Sequence, residues 1–323
     1  MTRNLRVFYN SLGTPEMYDL IRSRMGAGLE LVTLDSDDDA ERFAKIADCE
    51  VAIVAAKPLT AEAVAAAKKL ELVHHQGVGY HDTVATDALT ARDIRLALTP
   101  EGTTIGVAEH TLLLALGAAR RAAFADAELR QGRWHVNALR PVSVELFDKT
   151  VGLIGFGRIG QEAAKRFNAF GCHCISFDPA MTPSPDLPAK AASFEEVVET
   201  SDILTLHVPL SAKTQHLIGA AEIARMKQDA ILVNTARGGI VDDAALASAL
   251  ASGKLLAAGL DVFEGEPISA DHAFCGLPNV MLTPHISAGT RDAMGHKMTA
   301  LFANLARFRA GEALNNEVAL VPA

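Results

Sequence analysis

Short apolar runs alternate with amphipathic, helix-forming stretches along nearly the whole chain. In the first hundred residues, LRVFY (5–9), LELVTL (29–34), CEVAIVA (49–55) and LELVHH (70–75) predict strands. Residues 15–25 and the alanine-rich LTAEAVAAAKKL between the last two strands predict helices. Strand–helix–strand alternation at this spacing predicts a parallel sheet flanked by helices. Gly77 and Gly79 form a loop directly after the last of these strands. A long helix is predicted over 103–123, with a stripe of Leu112, Leu113 and Leu116. It ends on Arg120 and Arg121, basic residues that suit a helix C-terminus. The polar segment 130–149, with the sole tryptophan Trp134, reads as an arm and not as a domain.

A second alternation follows. TVGLIGFG (150–157), CHCISFD (172–178), DILTLHVP (202–209), AILVNTARG (230–238), LLAAGLDVF (255–263) and NVMLTPH (279–285) each predict a strand running into a turn. Helix patterns lie at 159–170, 194–200, 220–226 and 243–252, and one more covers 290–310. The fold class is therefore α/β, with two doubly wound parallel-sheet domains. Two such sheets in one chain lead one to expect a ligand in the cleft between them.

Composition narrows the function classes. The 323 residues predict two domains at roughly 150 residues each. With 49% hydrophobic and 21% charged residues, the chain can bury a core and does not read as disordered. A net charge of −9 without any Lys/Arg-rich run disfavours nucleic acid as a partner. Anionic small molecules stay open, because one or two local arginines outweigh distant net charge. No apolar run approaches the ~18 residues of a membrane helix, and no signal-peptide-like region opens the chain, so no membrane partner is expected. Cys172 and Cys174 are the only closely spaced cysteines, with Cys49 and Cys275 remote. C-x-C in a strand is a poor zinc clamp, so no metal site and a reducing, cytoplasmic compartment are expected.

Gly155-Phe156-Gly157-Arg158-Ile159-Gly160 fits G-x-G-x-x-G. The bare pattern is weak, but here an apolar strand precedes it and an alanine-rich helix follows. Absent side chains let the backbone turn tightly and approach a pyrophosphate, whose charge meets the helix N-terminus. Asp178, about twenty residues on at the end of the next strand, can accept hydrogen bonds from the adenosine ribose hydroxyls. It would repel a 2′-phosphate, so NAD is expected over NADP.

Three ionisable residues lie just after predicted strands of this second sheet, at the edge where open parallel sheets bind ligands: Arg237 in NTARGG, Glu266 in DVFEGEP and His285 in TPHIS. A guanidinium can hold a carboxylate bidentately and polarise a neighbouring carbonyl. An imidazole can pass a proton to or from an alcohol oxygen, and a nearby carboxylate favours its protonated form. Carbonyl reduction by hydride transfer from a nicotinamide requires those three roles. Spacing alone does not bring the residues together, and taken singly an Arg or Glu is more often a surface charge.

The segments GVG (77–79), VAEHTLLLALGAAR (107–120), RQGRW (130–134), VGLIGFGRIG (151–160), SDILTLHVPL (201–210), ILVNTARGGIVDDAAL (231–246), GLDVFEGEP (259–267) and NVMLTPHISAGT (279–290) together resemble the D-isomer-specific 2-hydroxyacid dehydrogenase family. That family includes glyoxylate/hydroxypyruvate reductases and D-lactate, phosphoglycerate and formate dehydrogenases. The resemblance implies that Arg237 binds the substrate carboxylate and orients the 2-oxo group. His285 would be the acid in reduction and the base in oxidation, with Glu266, not Glu264, as its partner. It also implies that Asp261 faces the nicotinamide amide, that Thr235 and Ala236 line the cofactor pocket by backbone contacts, and that Arg158 and Ile159 offer amides to the pyrophosphate. Val78 and Gly79 would present backbone N–H groups to the substrate carboxylate.

The same resemblance orders the domains. A Rossmann NAD-binding domain, 101–287, is inserted into a flavodoxin-like substrate domain made of 1–100 and 288–323. The arm around Trp134 would make a homodimer contact. The expected activity is NAD(H)-dependent hydride transfer at C2 of a small 2-hydroxy or 2-oxo acid, D-specific, with glyoxylate or hydroxypyruvate as first choice. The rival from another class is an NAD(H)-sensing, corepressor-like binding protein on the same fold. Lys57 and His74-His75 read as a solvated lysine and hydrogen-bonded histidines, with reach toward the substrate's distal end as the alternative. A metal site from His74, His75 and His81 is disfavoured, because adjacent strand residues point to opposite faces. His110 and His207 read as packing and orienting residues.

Overall fold

The computed structural model describes residues 3–55 and 57–320. In chain order, β1 (Leu5–Tyr9), α1 (Pro15–Arg22), β2 (Leu29–Val32), α2 (Asp39–Ile46), β3 (Val51–Val54), α3 (Ala61–Ala66), β4 (Leu72–His75), α4 (Thr86–Thr90) and β5 (Arg95–Leu98) alternate strand with helix. Helices α5 (Thr103–Ala119), α6 (Ala122–Arg130) and α7 (Val136–Leu139) follow. The second alternation comprises β6 (Thr150–Ile154), α8 (Arg158–Ala169), β7 (His173–Phe177), β8 (Lys190–Ala191), α9 (Phe194–Thr200), β9 (Ile203–Leu206), α10 (Ala220–Arg225), β10 (Ala230–Asn234), α11 (Asp243–Ala251), β11 (Leu255–Leu260) and β12 (Val280–Leu282). Last come α12 (Arg291–Ala310) and β13 (Glu317–Val318). The chain divides into two compact units, Met1–Thr103 with Thr290–Ala323, and Thr104–Gly289.

The first unit holds a six-stranded sheet in the order β13-β5-β4-β3-β1-β2, parallel except for β13, which pairs antiparallel with β5. Its core strands follow the flavodoxin-like order, reversing between β1 and β3. The second unit holds a seven-stranded, all-parallel sheet in the order β12-β11-β10-β9-β6-β7-β8. That is the Rossmann order, and its reversal falls between β6 and β9, beside the glycine turn.

Burial on both faces explains why the central strands read as continuous apolar runs without alternation. In β10, Leu232 packs with Leu206, Leu246 and Leu260 on one face, while Ile231 and Val233 pack with Leu153, Ala115 and Phe167 on the other. In the first unit, Phe8, Val54 and Val73 meet Ile46, Val64 and Leu89, while Val7, Ile53 and Leu72 meet Ile21, Met298, Leu301 and Leu305. Helix starts are set by side-chain caps: Thr14, Asp38, Thr60, Ser193, Asp242 and Thr290 each accept from an amide three residues on.

The structure departs from the sequence reading in places with physical causes. Helices α2 and α4 and strand β5 were not anticipated; α2 starts inside an acidic run, in which Asp38 is its cap and Asp39 opens its first turn. The helix expected over 103–123 stops at Ala119, because Arg121 takes a left-handed conformation (φ 49) and α6 starts anew at Ala122. The strands read as running into turns by 209, 238, 263 and 285 end at Leu206, Asn234, Leu260 and Leu282. The residues beyond those ends are loops, and these loops carry the candidate chemistry.

His74 is a buried residue of β4 with both ring nitrogens engaged. The Asn304 amide is oriented by its two hydrogen bonds to Asn315, so its Nδ2 donates to His74 Nε2 at 3.0 Å. The proton then sits on Nδ1, which meets Thr99 Oγ1 at 3.2 Å. Burial pushes this imidazole from 6.5 down to about 4. As pH falls from 6.5 to 4 the unfolded chain takes up a proton that the folded chain refuses. Stability from this group is therefore complete above 6.5 and declines as pH drops toward 4. The loss amounts to on the order of 3 kcal/mol by linkage. Denaturant unfolding of the full chain across that window is expected to show a shallower pH dependence in His74→Gln than in wild type; parallel curves would contradict this.

Candidate active site

The glycine turn joins β6 to α8, and its three glycines answer to three different constraints. Gly155 has φ +88, and a Cβ there would lie 2.5 Å from the His207 carbonyl oxygen. A Cβ on Gly160 would lie 2.5 Å from the Gly155 carbonyl oxygen, so this glycine lets helix and strand approach. A Cβ on Gly157 would meet nothing within 4 Å, which leaves open space over the N-terminus of α8. Gly157 is also the N-cap and supplies no side-chain cap to the first amides of the helix, those of Arg158, Ile159 and Gly160. Asp178, just after β7, accepts from the Phe156 amide at 2.8 Å and the Ala180 amide at 2.9 Å. Its carboxylate is thereby fixed beside the turn, with lone pairs remaining for hydroxyls. Open space, uncapped amides and an oriented acid fit a dinucleotide.

Arg237, Glu266 and His285 follow β10, β11 and β12, three adjacent parallel strands, so all three leave the sheet at the same edge. Glu266 Oε2 and His285 Nδ1 are 2.7 Å apart, and Glu266 Oε1 accepts from the Phe263 amide at 2.9 Å. Burial pushes the Glu266 carboxyl up. The hydrogen bonds from His285 and from the Phe263 amide together outweigh burial and hold it below the usual glutamate value. Glu264 goes elsewhere, meeting His216 Nε2 at 2.5 Å. Arg237 Nη1 donates to the Ala236 carbonyl at 2.7 Å. Its loop is shaped by Asn234, whose side chain accepts from the Ala236 amide and donates to the Arg237 carbonyl. The same loop is wedged against the next one. A Cβ on Gly238 would overlap the Phe263 carbonyl oxygen at 1.8 Å, so the backbones that carry Arg237 and Glu266 touch directly.

The Asp261 side chain is buried. Its Oδ1 accepts from Thr283 Oγ1 at 2.6 Å and the Ile286 amide at 2.9 Å, and Oδ2 accepts from the Ser287 amide at 2.8 Å. Its backbone carbonyl accepts from the His285 amide at 2.8 Å. His285 sits at φ 50, a left-handed conformation uncommon for a residue with a side chain, and these bonds enclose it. Asp261 thus anchors the loop that presents His285. No local spacing announced this role, because its donors lie more than twenty positions away.

Thr235 is buried, with its hydroxyl 2.9 Å from that of Thr111 on α5. Both backbone groups of Ala236 are engaged within the loop, the amide by Asn234 and the carbonyl by Arg237. In the first unit, Val78 is exposed in the loop after β4, with Gly79 beside it. Lys57 pairs with Asp37 at 3.2 Å, and His75 Nε2 lies 2.9 Å from Thr83 Oγ1. Among the described residues, no cluster of His, Cys, Asp or Glu could hold a metal ion, and no helix is long and apolar enough to cross a membrane.

The Rossmann strand order, the glycine turn with its acid, and a Glu–His pair at the carboxyl edge fit a dinucleotide-dependent oxidoreductase. Comparison with known proteins makes the class specific. Residues 112–287 match the model of the D-isomer specific 2-hydroxyacid dehydrogenase NAD binding domain. A hydroxypyruvate reductase of Thermotoga maritima is 41% identical over 265 residues, 81% of this chain and 85% of that protein. A D-3-phosphoglycerate dehydrogenase of Archaeoglobus fulgidus is 39% identical over 82% of this chain, which spans 50% of its length. The crystal structure of an NAD-dependent formate dehydrogenase from Staphylococcus aureus in complex with NAD superposes with a TM-score of 0.85 at 29% identity, covering 98% of this chain and 99% of that one. The chain belongs to the D-isomer-specific 2-hydroxyacid dehydrogenase family and is an oxidoreductase with an NAD-binding domain.

The glycine geometry separates binding from folding. Gly157→Ala is expected to weaken NADH binding about tenfold or more, since its methyl enters the space over the helix amides, and to leave Tm nearly unchanged. Gly155→Ala, at a positive φ and against a backbone oxygen, is expected to lower Tm by several degrees. Fluorescence titration and thermal unfolding read the two effects; an equal loss of Tm in both variants would contradict the assignment.

Proposed function

We propose that the protein interconverts a small D-2-hydroxy acid and its 2-oxo acid with NAD(H), and that glyoxylate or hydroxypyruvate is the 2-oxo acid. The observation that carries the acid–base part is the 2.7 Å contact between Glu266 and His285. Nδ1 faces the carboxylate, so the opposite nitrogen, Nε2, is the one that exchanges a proton with substrate oxygen. In this reading protonated His285 donates to the C2 oxygen as the carbonyl is reduced and takes the proton back in oxidation. Glu266 orients the ring. Arg237 binds the carboxylate and polarises the carbonyl, and Val78 and Gly79 are proposed as carboxylate donors through their backbone N–H groups. When bound, the nicotinamide supplies or accepts the hydride. Arg158, Ile159 and Gly160 would receive its pyrophosphate and Asp178 its adenosine ribose. Residues 101–287 would act as the cofactor domain and 1–100 with 288–323 as the substrate domain.

Asp178 supports NAD over NADP, because a carboxylate at the ribose repels a 2′-phosphate. The hydroxypyruvate reductase of Thermotoga maritima, matched over 85% of its length, supports the small-substrate choice. The arm supports a homodimer: α6 buries no residue within this chain and Trp134 is 76% exposed, an apolar surface that a second copy would cover. A cytoplasmic setting agrees with four unpaired cysteines.

Absorbance at 340 nm, followed with a panel of 2-oxo acids and with NADH and NADPH in turn, tests the reading. Turnover of glyoxylate or hydroxypyruvate with NADH, and weak turnover with NADPH, is expected. His285→Ala should lower kcat about 10²- to 10⁴-fold while the NADH Kd stays within about threefold. A His285→Ala variant with unchanged kcat would remove this residue from the chemistry.

A further inference from the structure

His110 lies on α5, remote in sequence from every residue given a role above, yet it ends a chain of hydrogen bonds that leads to His285. Its Nε2 is 2.9 Å from Thr283 Oγ1 and 3.6 Å from Asp261 Oδ1. Thr283 has a single hydroxyl hydrogen, which is given to Asp261 Oδ1 at 2.6 Å. The contact with His110 is therefore made by the ring N–H, and His110 is the donor. Asp261 in turn receives the amides of Ile286 and Ser287, the two residues directly after His285. The Thr283 amide is itself held by the Leu260 carbonyl at 2.9 Å, so the hydroxyl starts from a fixed backbone.

We propose that His110 and Thr283 are positioning residues for the reaction, acting through the Asp261 carboxylate to fix the left-handed turn that aims His285. A buried carboxylate stays in place only while donors replace its lost water, and each donor raises the value of the others. Thr283 supplies one of the three hydrogen bonds to this carboxylate, and His110 fixes the rotamer in which it does so. Loosening either lets the 285–287 backbone, in which His285 is held at φ 50 against its preference, relax away from the geometry that meets Glu266. The inference rests on the proposed acid–base role of His285, and its test separates the two.

His110→Phe keeps an aromatic ring without a donor, and His110→Gln restores an N–H near the position of Nε2. Thr283→Val and Thr283→Ser form the matching pair on the other residue. Reduction of glyoxylate by NADH and hydrogen exchange of the 283–288 segment without substrate are the two readouts. His110→Phe and Thr283→Val should lower kcat about 10- to 100-fold, with the NADH Kd within about twofold. Exchange at 283–288 should rise about tenfold in both, because opening of the turn becomes easier. His110→Gln and Thr283→Ser should return both readouts to within about threefold of wild type. Wild-type kcat and exchange in His110→Phe and Thr283→Val would overturn the proposal, as would equal losses in His110→Phe and His110→Gln. If the exchange changes appear while His285→Ala keeps full activity, the anchor stands and the acid–base role of His285 falls.

Discussion

A carboxylate with no exposed surface persists in a protein interior only where donors take the place of water. Asp261 meets that condition with one hydroxyl and two amides, all drawn from the five residues Thr283 to Ser287. The cost of burying this group is thereby turned into a constraint on the loop after β12. That loop must curl around the carboxylate, and in curling it takes His285 through a left-handed conformation that few residues adopt unaided. The meeting of His285 with Glu266 follows from it. Substituting an apolar residue at 261 would remove the reason for the turn and leave two amides without partners.

The parallel sheet supplies the second constraint. Because β10, β11 and β12 are neighbours and run the same way, their trailing loops emerge side by side, and residues 237, 266 and 285 need no long excursion to share one edge. Gly238 tightens this further, since only a residue without Cβ lets the Arg237 loop rest on the Phe263 carbonyl. The reversal of strand order between β6 and β9 puts the glycine turn at that same edge. A glycine turn that fits a dinucleotide and a Glu–His pair thus share one sheet edge. The family match over 112–287 lies on this unit.

Much of this was legible in the chain because it is local. The turn from Gly155 to Gly160 carries its meaning in consecutive residues flanked by a strand and a helix, and Asp178 stands one strand further on. Arg237, Glu266 and His285 each mark a strand end, so topology alone brings them to a common edge. What escaped were features that depend on distant partners or on backbone conformation. His110 and Thr283 are 173 positions apart, and no periodicity ties them. The donors that enclose Asp261 lie more than twenty positions away and become visible only in three dimensions. The break at Arg121 has no helix-breaking residue to announce it; a basic pair suits a helix end but does not state that another helix starts at once. The partner of His285 could have been either glutamate of DVFEGEP by spacing alone, and the structure gives Glu264 to His216 instead.

The central claim is that the Glu266 carboxylate holds the imidazole of His285 in the orientation that exchanges a proton with substrate oxygen. The most direct measurement is kcat/KM for 2-oxo acid reduction in wild type and in Glu266→Gln, set beside the NADH Kd of each. Glu266→Gln should lower kcat/KM about 10- to 100-fold while the NADH Kd stays within about twofold. Wild-type kcat/KM in Glu266→Gln would show that the two residues touch without sharing a role in proton transfer.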